Sequence, residues 1–218
     1  MTSGQLDFQG VVQTTTLRNK NSSEIQCSTI MQPSLVRQMF MEALATCHSL
    51  QGSGGQVDGY PLDKATFVTT GYVLDSSVKN VDKRSCKGTI QSPDGSKTLL
   101  IRKIFRFDAS LQKSSVIVEN HSNQQQMVYT KGSPDAIFDI CDLASVPQSY
   151  FDTVRTYTSQ GYYCIAYASK AAKYQDFYHI SREDVEVGLT FLGFALFQVL
   201  LFIRIDVYMK HILSIVVM

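Results

Sequence analysis

The residues best equipped for chemistry lie in two stretches close together in the sequence. Met127 to Ile137 reads MVYTKGSPDAI and puts Lys131 and Gly132 where an apolar strand ends and a Ser-Pro-Asp helix start begins. Such a junction leaves backbone N–H groups free and carries positive potential, so it suits an anion. Just upstream, Ile104 to Val118 reads IFRFDASLQKSSVIV and places Phe107 at the end of a strand, where its ring offers a flat face to a planar base. Together the two stretches read as a nucleotide pocket. The structural alternative uses the same residues: a Lys-Gly pair punctuates many strand ends, and a phenylalanine in a strand commonly belongs to a core.

Periodicity indicates the elements that must hold these residues. Leu99–Phe107, Ser115–Glu119 and Met127–Thr130 are rich in strand formers, and Asn120–Gln125 makes a hairpin with a loose loop the simplest link between the last two. Strands this near in sequence pair antiparallel. Ser92–Gly95, Ser-Pro-Asp-Gly, reads as a turn between strands. A helix starting at Pro33 or Ser34 carries Val36, Phe40, Leu44 and Cys47 at helical spacing. A second helix covers Leu62–Tyr72, and a third, Val146–Gln160, repeats Phe151, Val154 and Tyr157 before Gly161 ends it. Tyr162–Ala168 reads as a buried strand. Leu17–Gln32 is polar and is expected to be a loop. Gly52–Gly55, GSGG, lacks the preceding strand and following lysine of a phosphate loop and is expected to be a surface linker. The expected class is α+β, an antiparallel β-sheet flanked by helices.

Composition narrows the partners. The chain has 218 residues, enough to bury a sizeable core, and a formal charge of +1 with no basic stripe, which argues against nucleic acid. Five cysteines, Cys27, Cys47, Cys86, Cys141 and Cys164, show no CxxC spacing, and the four histidines stand alone, so reduced thiols and no metal site are expected. Asn21 and Asn120 open Asn-x-Ser sequons that are read as chance. Val187–Ile203 only reaches the lower limit of a membrane span, ~17–25 residues, and Arg204, Asp206 and Lys210 interrupt a longer one.

KGSPDAI closely resembles the KGAPE-type motif of P-type ATPases, and FRFDASLQKSSVIV (Phe105–Val118) resembles the segment that precedes it in their nucleotide-binding domains, in the same order and spacing. ATCHSL (Ala45–Leu50) followed by DGYPLDKATFVTTGYVL (Asp58–Leu74) is similar to that family's "CHSL … GDPLD" run, with Tyr60 in place of an acidic residue. LDFQGV (Leu6–Val11) resembles the text after the phosphorylation motif, and EDVEVGLTFLGFALF (Glu183–Phe197) the strand returning to the phosphorylation domain. The resemblance spans Met1–Gln198 and looks closest to the type-V group, through Phe-x-Phe-x-x-x-Leu-Gln at Phe105–Gln112. VPQSYFDTVRTYTSQGY (Val146–Tyr162) is similar to subgroup B, the polyamine-transporting pumps of late endosomes and lysosomes.

The resemblance implies a division into residues 1–14 as a crossover strand from a phosphorylation domain, 15–185 as the nucleotide-binding domain, 186–198 as the start of the return strand, and 199–218 as a divergent, non-native apolar tail. It implies ATP as ligand, with Mg reaching the site through the nucleotide in an intact pump. Phe107 would stack on the adenine and Lys131 would form the base of the pocket. Gly132 would allow close backbone approach, and Asp63 would contact the adenine edge. Asp63 also reads simply as a first-turn acid welcomed by the helix dipole. Gln112 stands where other branches place a basic residue, with Lys113 beside it. In YTSQGYYCIAYASK, Tyr163 replaces the family arginine that contacts phosphates, so weak binding is expected. No DKTGT motif occurs in the 218 residues, so the chain has no catalytic nucleophile of its own and would not turn over ATP alone. The implied partners are the phosphorylation and actuator domains of a parent pump, at the cytosolic face of an endosomal, lysosomal or other endomembrane. The alternative is a stand-alone or degenerate ATP-binding or regulatory module without transport activity.

Overall fold

The computed structural model describes residues 14–18, 23–31, 36–53, 56–74 and 86–201. The strands are β1 (Thr14–Arg18), β2 (Ser23–Met31), β3 (Gln51–Ser53), β4 (Gln56–Asp58), β5 (Val73–Leu74), β6 (Gly88–Gln91), β7 (Thr98–Asp108), β8 (Lys113–Asn120), β9 (Gln126–Gly132), β10 (Tyr163–Ala172) and β11 (Thr190–Leu201). The helices are α1 (Arg37–Thr46), α2 (Pro61–Thr70), α3 (Pro134–Phe138), α4 (Tyr150–Ser159) and α5 (Arg182–Val185). Among the described residues, nine strands form one sheet in the order β1-β2-β11-β10-β9-β8-β7-β6-β5, with every neighbouring pair antiparallel. The α+β class expected from the sequence is therefore the one observed.

The middle strands are buried on both sides, which is why they read as continuous apolar runs rather than as alternation. In β8, Val116 and Val118 join the cluster beneath α1 and α2, while Ile117 joins a smaller cluster on the opposite face. β11 divides likewise, with Leu192, Ala195 and Phe197 toward α1 and α2 and Phe191, Phe194 and Leu196 toward α3 and α4. Helix α1 is built from good helix formers, and Phe40, Ala43 and Leu44 bury one face at i, i+3 and i+4. Phe40 meets Tyr167 of β10 edge-on at 5.5 Å. Each such fully buried side chain contributes about 1.5–3 kcal/mol.

Three local expectations are corrected. Leu17–Gln32 is not a loop: Thr14–Arg18 and Ser23–Met31 pair with each other, and β2 pairs with β11 from Met31↔Gly193 to Ser23↔Leu201. Its sequence alternates Glu24-Ile25-Gln26-Cys27-Ser28, a period-two pattern too polar to stand out until a long apolar neighbour recruits it. Gly52–Gly55 is no linker either, since β3 and β4 pair antiparallel across Gly54 and Gly55, which themselves lie outside the described residues. The third helix starts at Tyr150 rather than Val146, because Val146 precedes Pro147 and is held extended at φ −90°, ψ 124°. The helix starts suggested at Pro33 and Ser34, all of the 1–14 crossover but Thr14, and all of the 199–218 tail but the residues that end β11 lie outside the described residues. No described helix is long and apolar enough to cross a membrane, and the Val187–Ile203 stretch contains strand β11 instead.

Gly161 ends α4 as the spacing predicts. It takes φ +84°, its N–H reaches Thr158 O and the Tyr162 N–H reaches Tyr157 O, while the Tyr157 and Tyr162 rings meet edge-on at 5.9 Å. A Cβ at Gly161 would touch nothing within 4 Å. Gly161→Ala therefore carries backbone strain alone and is expected to lower stability by about 1–2 kcal/mol in a urea unfolding curve.

Candidate nucleotide site

Lys131 belongs to β9, on the side that Met127 and Tyr129 turn toward α1 and α2, as period-two alternation requires. Asp63 sits in the first turn of α2, which begins at Pro61 behind an extended Tyr60. The two side chains meet: Lys131 Nζ donates to Asp63 Oδ1 at 2.5 Å, and only 13% and 12% of them remain exposed. Asp63 Oδ2 also accepts from the Ser49 N–H at 3.5 Å. The sequence singled out both residues but nothing in their spacing, 68 positions apart, showed that they pair.

The link between α1 and β3 packs beside this pair. His48 Nε2 donates to Ala45 O at 2.7 Å and Nδ1 accepts from the Leu50 N–H at 3.1 Å, a set of partners that fits the neutral ring. Burial, reinforced by the Lys131 charge, pushes its pKa down to about 4. Cys47 Sγ lies 3.6 Å from Ser114 O and 3.8 Å from Tyr129 O, and burial raises its thiol to about 11. Cys47 is thus a packed, inert thiol.

The strand-to-helix junction uses its own donors internally. The Ser133 N–H donates to Gln112 O at 3.0 Å, and Ser133 Oγ accepts from the Ala136 N–H at 3.3 Å at the start of the five-residue α3. Gly132 does allow a close approach, and the group that approaches is Gln112: a Cβ on Gly132 would come within 2.5 Å of its carbonyl oxygen. Gln112 itself takes φ +50° in the β7–β8 turn. Phe107, 65% exposed, stands at the same end of the sheet, where Asp108, Lys113 and Gly132 form a row across β7, β8 and β9. Tyr163, 60% exposed, opens β10, two strands from β8 and adjacent to β9, on the face that Ile165 and Tyr167 turn to α1 and α2. Among the described residues no cluster of acidic, histidine or cysteine side chains is arranged to hold a metal ion.

Residues 83–198, just over half of the chain, match the family of the P-type ATPase cytoplasmic domain N. The chain belongs to that family. It is similar to the vacuolar cation-transporting ATPase YPK9 of Saccharomyces cerevisiae, with 30% identity over 190 residues that cover 73% of this chain and 13% of that protein. It is also similar to the probable cation-transporting ATPase 13A5 of Homo sapiens, 35% identical over 169 residues, with coverage of 72% and 14%. The human polyamine-transporting ATPase 13A3 is 25% identical over 225 residues, covering 91% of this chain and 18% of its own length. The chain thus spans less than a fifth of these relatives, and both human ones carry the 13A designation, in keeping with the subgroup-B resemblance.

Two polar centres of this N domain escaped the sequence reading. Glu42, buried in α1, accepts from Lys97 Nζ at 2.6 Å, Tyr129 Oη at 2.7 Å and Gln38 Nε2 at 3.1 Å. Glu186, equally buried, accepts from Ser115 Oγ at 2.6 Å and Arg182 at 2.8 Å. The one signal for Glu42 was an acid within the apolar run FMEALA, and that for Glu186 its place four residues after Arg182.

His48 gives a pH dependence whose sign follows from its lowered pKa. The unfolded chain binds its proton near the ordinary 6.5 and the folded chain near 4, so stability is full above pH 6.5 and falls as pH drops toward 4. The span corresponds to about 3 kcal/mol. Urea midpoints are expected to fall between pH 7 and 4.5, and His48→Gln is expected to flatten that slope.

Proposed function

We propose that this N domain binds ATP for a type-V P-type ATPase, a cation or polyamine pump, and presents it to a phosphorylatable aspartate on another domain. The observation that carries this reading is the exposed Phe107 ring at the end of the sheet that also holds the part-buried Lys131–Asp63 pair. Phe107 stacks on the adenine, a contact worth about 1–3 kcal/mol. Asp63 accepts from the exocyclic amine, which favours adenine over guanine. Lys131, held in place by Asp63, closes the base of the pocket near the ring and the phosphates, while Gly132 and Gln112 shape its floor through their mutual contact.

In the intact pump the nucleophile is the aspartate of the phosphorylation domain, whose attack on the γ-phosphorus forms an acyl phosphate and releases ADP. Mg, held through the nucleotide's phosphates, supplies charge neutralisation there. This domain's part is to hold and orient ATP. Residues 1–14 and 186–198 connect it to the phosphorylation domain, and the actuator domain is the further partner. The assembly stands at the cytosolic face of an endosomal, lysosomal or other endomembrane. The names of the relatives support cation and polyamine transport as the work driven.

A second reading, a stand-alone or degenerate module without transport, is favoured by Tyr163 in the place of an arginine. Losing one charged hydrogen bond costs about 1.5–3 kcal/mol, or one to two factors of ten in affinity. Affinity for ATP is therefore expected in the millimolar range, an order of magnitude set by one stack and one lysine.

Amide NMR titration of the chain with ATP, ADP and GTP tests this. Shifts are expected at Phe107, Asp63 and Lys131, stronger with adenine nucleotides, and lost in Phe107→Ala, a surface change that leaves the fold intact. Tyr163→Arg is expected to tighten ATP about tenfold with little effect on adenosine. No shifts in a folded sample at high millimolar ATP would overturn ATP binding and leave the degenerate reading.

A further inference from the structure

The face of the sheet opposite α1 and α2 carries its own polar apparatus, and the nucleotide reading does not use it. Ser115, Ile117, Val128 and Thr130 line this face, and the chain between β10 and β11 crosses it, packing Tyr174, Phe177, Ile180 and Val185 against the sheet. Cations from the strands hold that crossing segment by its carbonyls. Lys103 Nζ donates to Tyr178 O at 3.0 Å and Ile180 O at 2.6 Å, and Lys170 Nζ to Asp184 O and Val187 O, both at 3.0 Å.

Within it, Arg182 makes two directed bonds. One guanidinium nitrogen donates to Glu186 Oε1 at 2.8 Å, and the other donates to the carbonyl oxygen of Arg106 in β7. The guanidinium also lies 5.7 Å from the centre of the Phe105 ring. The Arg106 carbonyl is no ordinary ladder group. Phe105 pairs with Ser115 and Asp108 with Lys113, so Arg106 and Phe107 together oppose the single Ser114, which makes a β-bulge. A bulge leaves a residue outside the ladder and re-aims its neighbours. Glu186 completes the connection, because its carboxylate also accepts from Ser115 Oγ at 2.6 Å, Ser115 Oγ meets Thr130 Oγ1 at 2.9 Å, and Lys113 Nζ lies 3.7 Å from Oε2. Thr130 directly precedes Lys131. One buried carboxylate and one arginine thus join the backbone that presents Phe107 to the strand that presents Lys131.

We propose that Arg182 and Glu186 act as a positioning clip on the far side of the sheet, holding the Arg106–Phe107 bulge so that the Phe107 ring is set for a planar base. The second half of this inference rests on the nucleotide reading. Arginine suits the task because its planar fork serves two acceptors at once, which a lysine ammonium at the end of a flexible stem does not reproduce.

The test uses the 218-residue chain with Arg182→Ala and Arg182→Lys, the latter keeping a charge beside the buried Glu186. In the unligated protein, amide exchange at Phe107 and Asp108 is expected to quicken about tenfold or more in both variants, while Ile117 and Val128 keep their protection. Unchanged exchange at the bulge, or an equal rise throughout the sheet, overturns the clip. With ADP, Arg182→Ala is expected to weaken binding about fivefold to tenfold, within what partial loss of a base stack gives. The same change in a Phe107→Ala background is expected to have no further effect, since the arginine acts through that ring. An equal loss in both backgrounds overturns the positioning role. Arg155→Ala, which removes an exposed cation on α4, is expected to change neither readout. Failure of the parent chain to bind ADP overturns the nucleotide reading, and the exchange measurement still decides the clip.

Discussion

A largely buried lysine and aspartate at the end of a sheet tie its helical layer to its strands. Lys131 and Asp63 come from β9 and α2, and each is the other's ion-pair partner. Removing one partner of a buried pair leaves an uncompensated charge at a cost of about 3–5 kcal/mol. The pair therefore couples the helical layer to the sheet at one defined place, beside two other buried titratable groups. His48 stays neutral with its pKa lowered, and Cys47 stays a thiol with its pKa raised, both chiefly through burial. They stand in the α1–β3 connection, where the neighbouring Ser49 N–H donates to Asp63.

The sheet separates two kinds of work. Toward α1 and α2 it presents the ion pair, the Glu42 centre and the largest apolar cluster. Toward the segment between β10 and β11 it presents the Ser115, Thr130 and Glu186 centre. β8 lies between them and contributes to both, through Val116 and Val118 on one side and Ser115 and Ile117 on the other. A change on either face is thus felt in the strands that end at Asp108 and Gly132. This is a general property of a close-packed sheet, whose interior transmits strain.

Much of this was legible in the sequence. The hairpin of β8 and β9, the turn before β7, the helices α1 and α2 and the glycine stop of α4 follow from period, turn chemistry and capping, which are local. β2 was not legible, because its residues alternate without enough apolar character and acquire their meaning from β11, more than 160 positions away. The β3–β4 hairpin was hidden for a related reason, since a glycine-serine run is equally compatible with a linker. At the candidate site, residue types pointed to Phe107, Lys131 and Asp63, but not to the ion pair or to Gln112 as the group filling the space above Gly132. Of the Glu186 centre only the Arg182–Glu186 spacing is local: its five members, Lys113, Ser115, Thr130, Arg182 and Glu186, come from β8, β9 and the segment before β11, and the fold brings the three parts together.

The most direct test of the central claim is to observe the Lys131 ammonium itself. In the free chain its 15N resonance is expected to persist, protected from exchange by the hydrogen bond to Asp63, and to vanish in Asp63→Asn. On titration with ADP the same resonance is expected to move in step with the Phe107 amide, whereas inorganic phosphate at equal concentration leaves it in place. A Lys131 resonance indifferent to saturating ADP, while Phe107 responds, would show that the base is bound elsewhere and that the buried pair is scaffold alone.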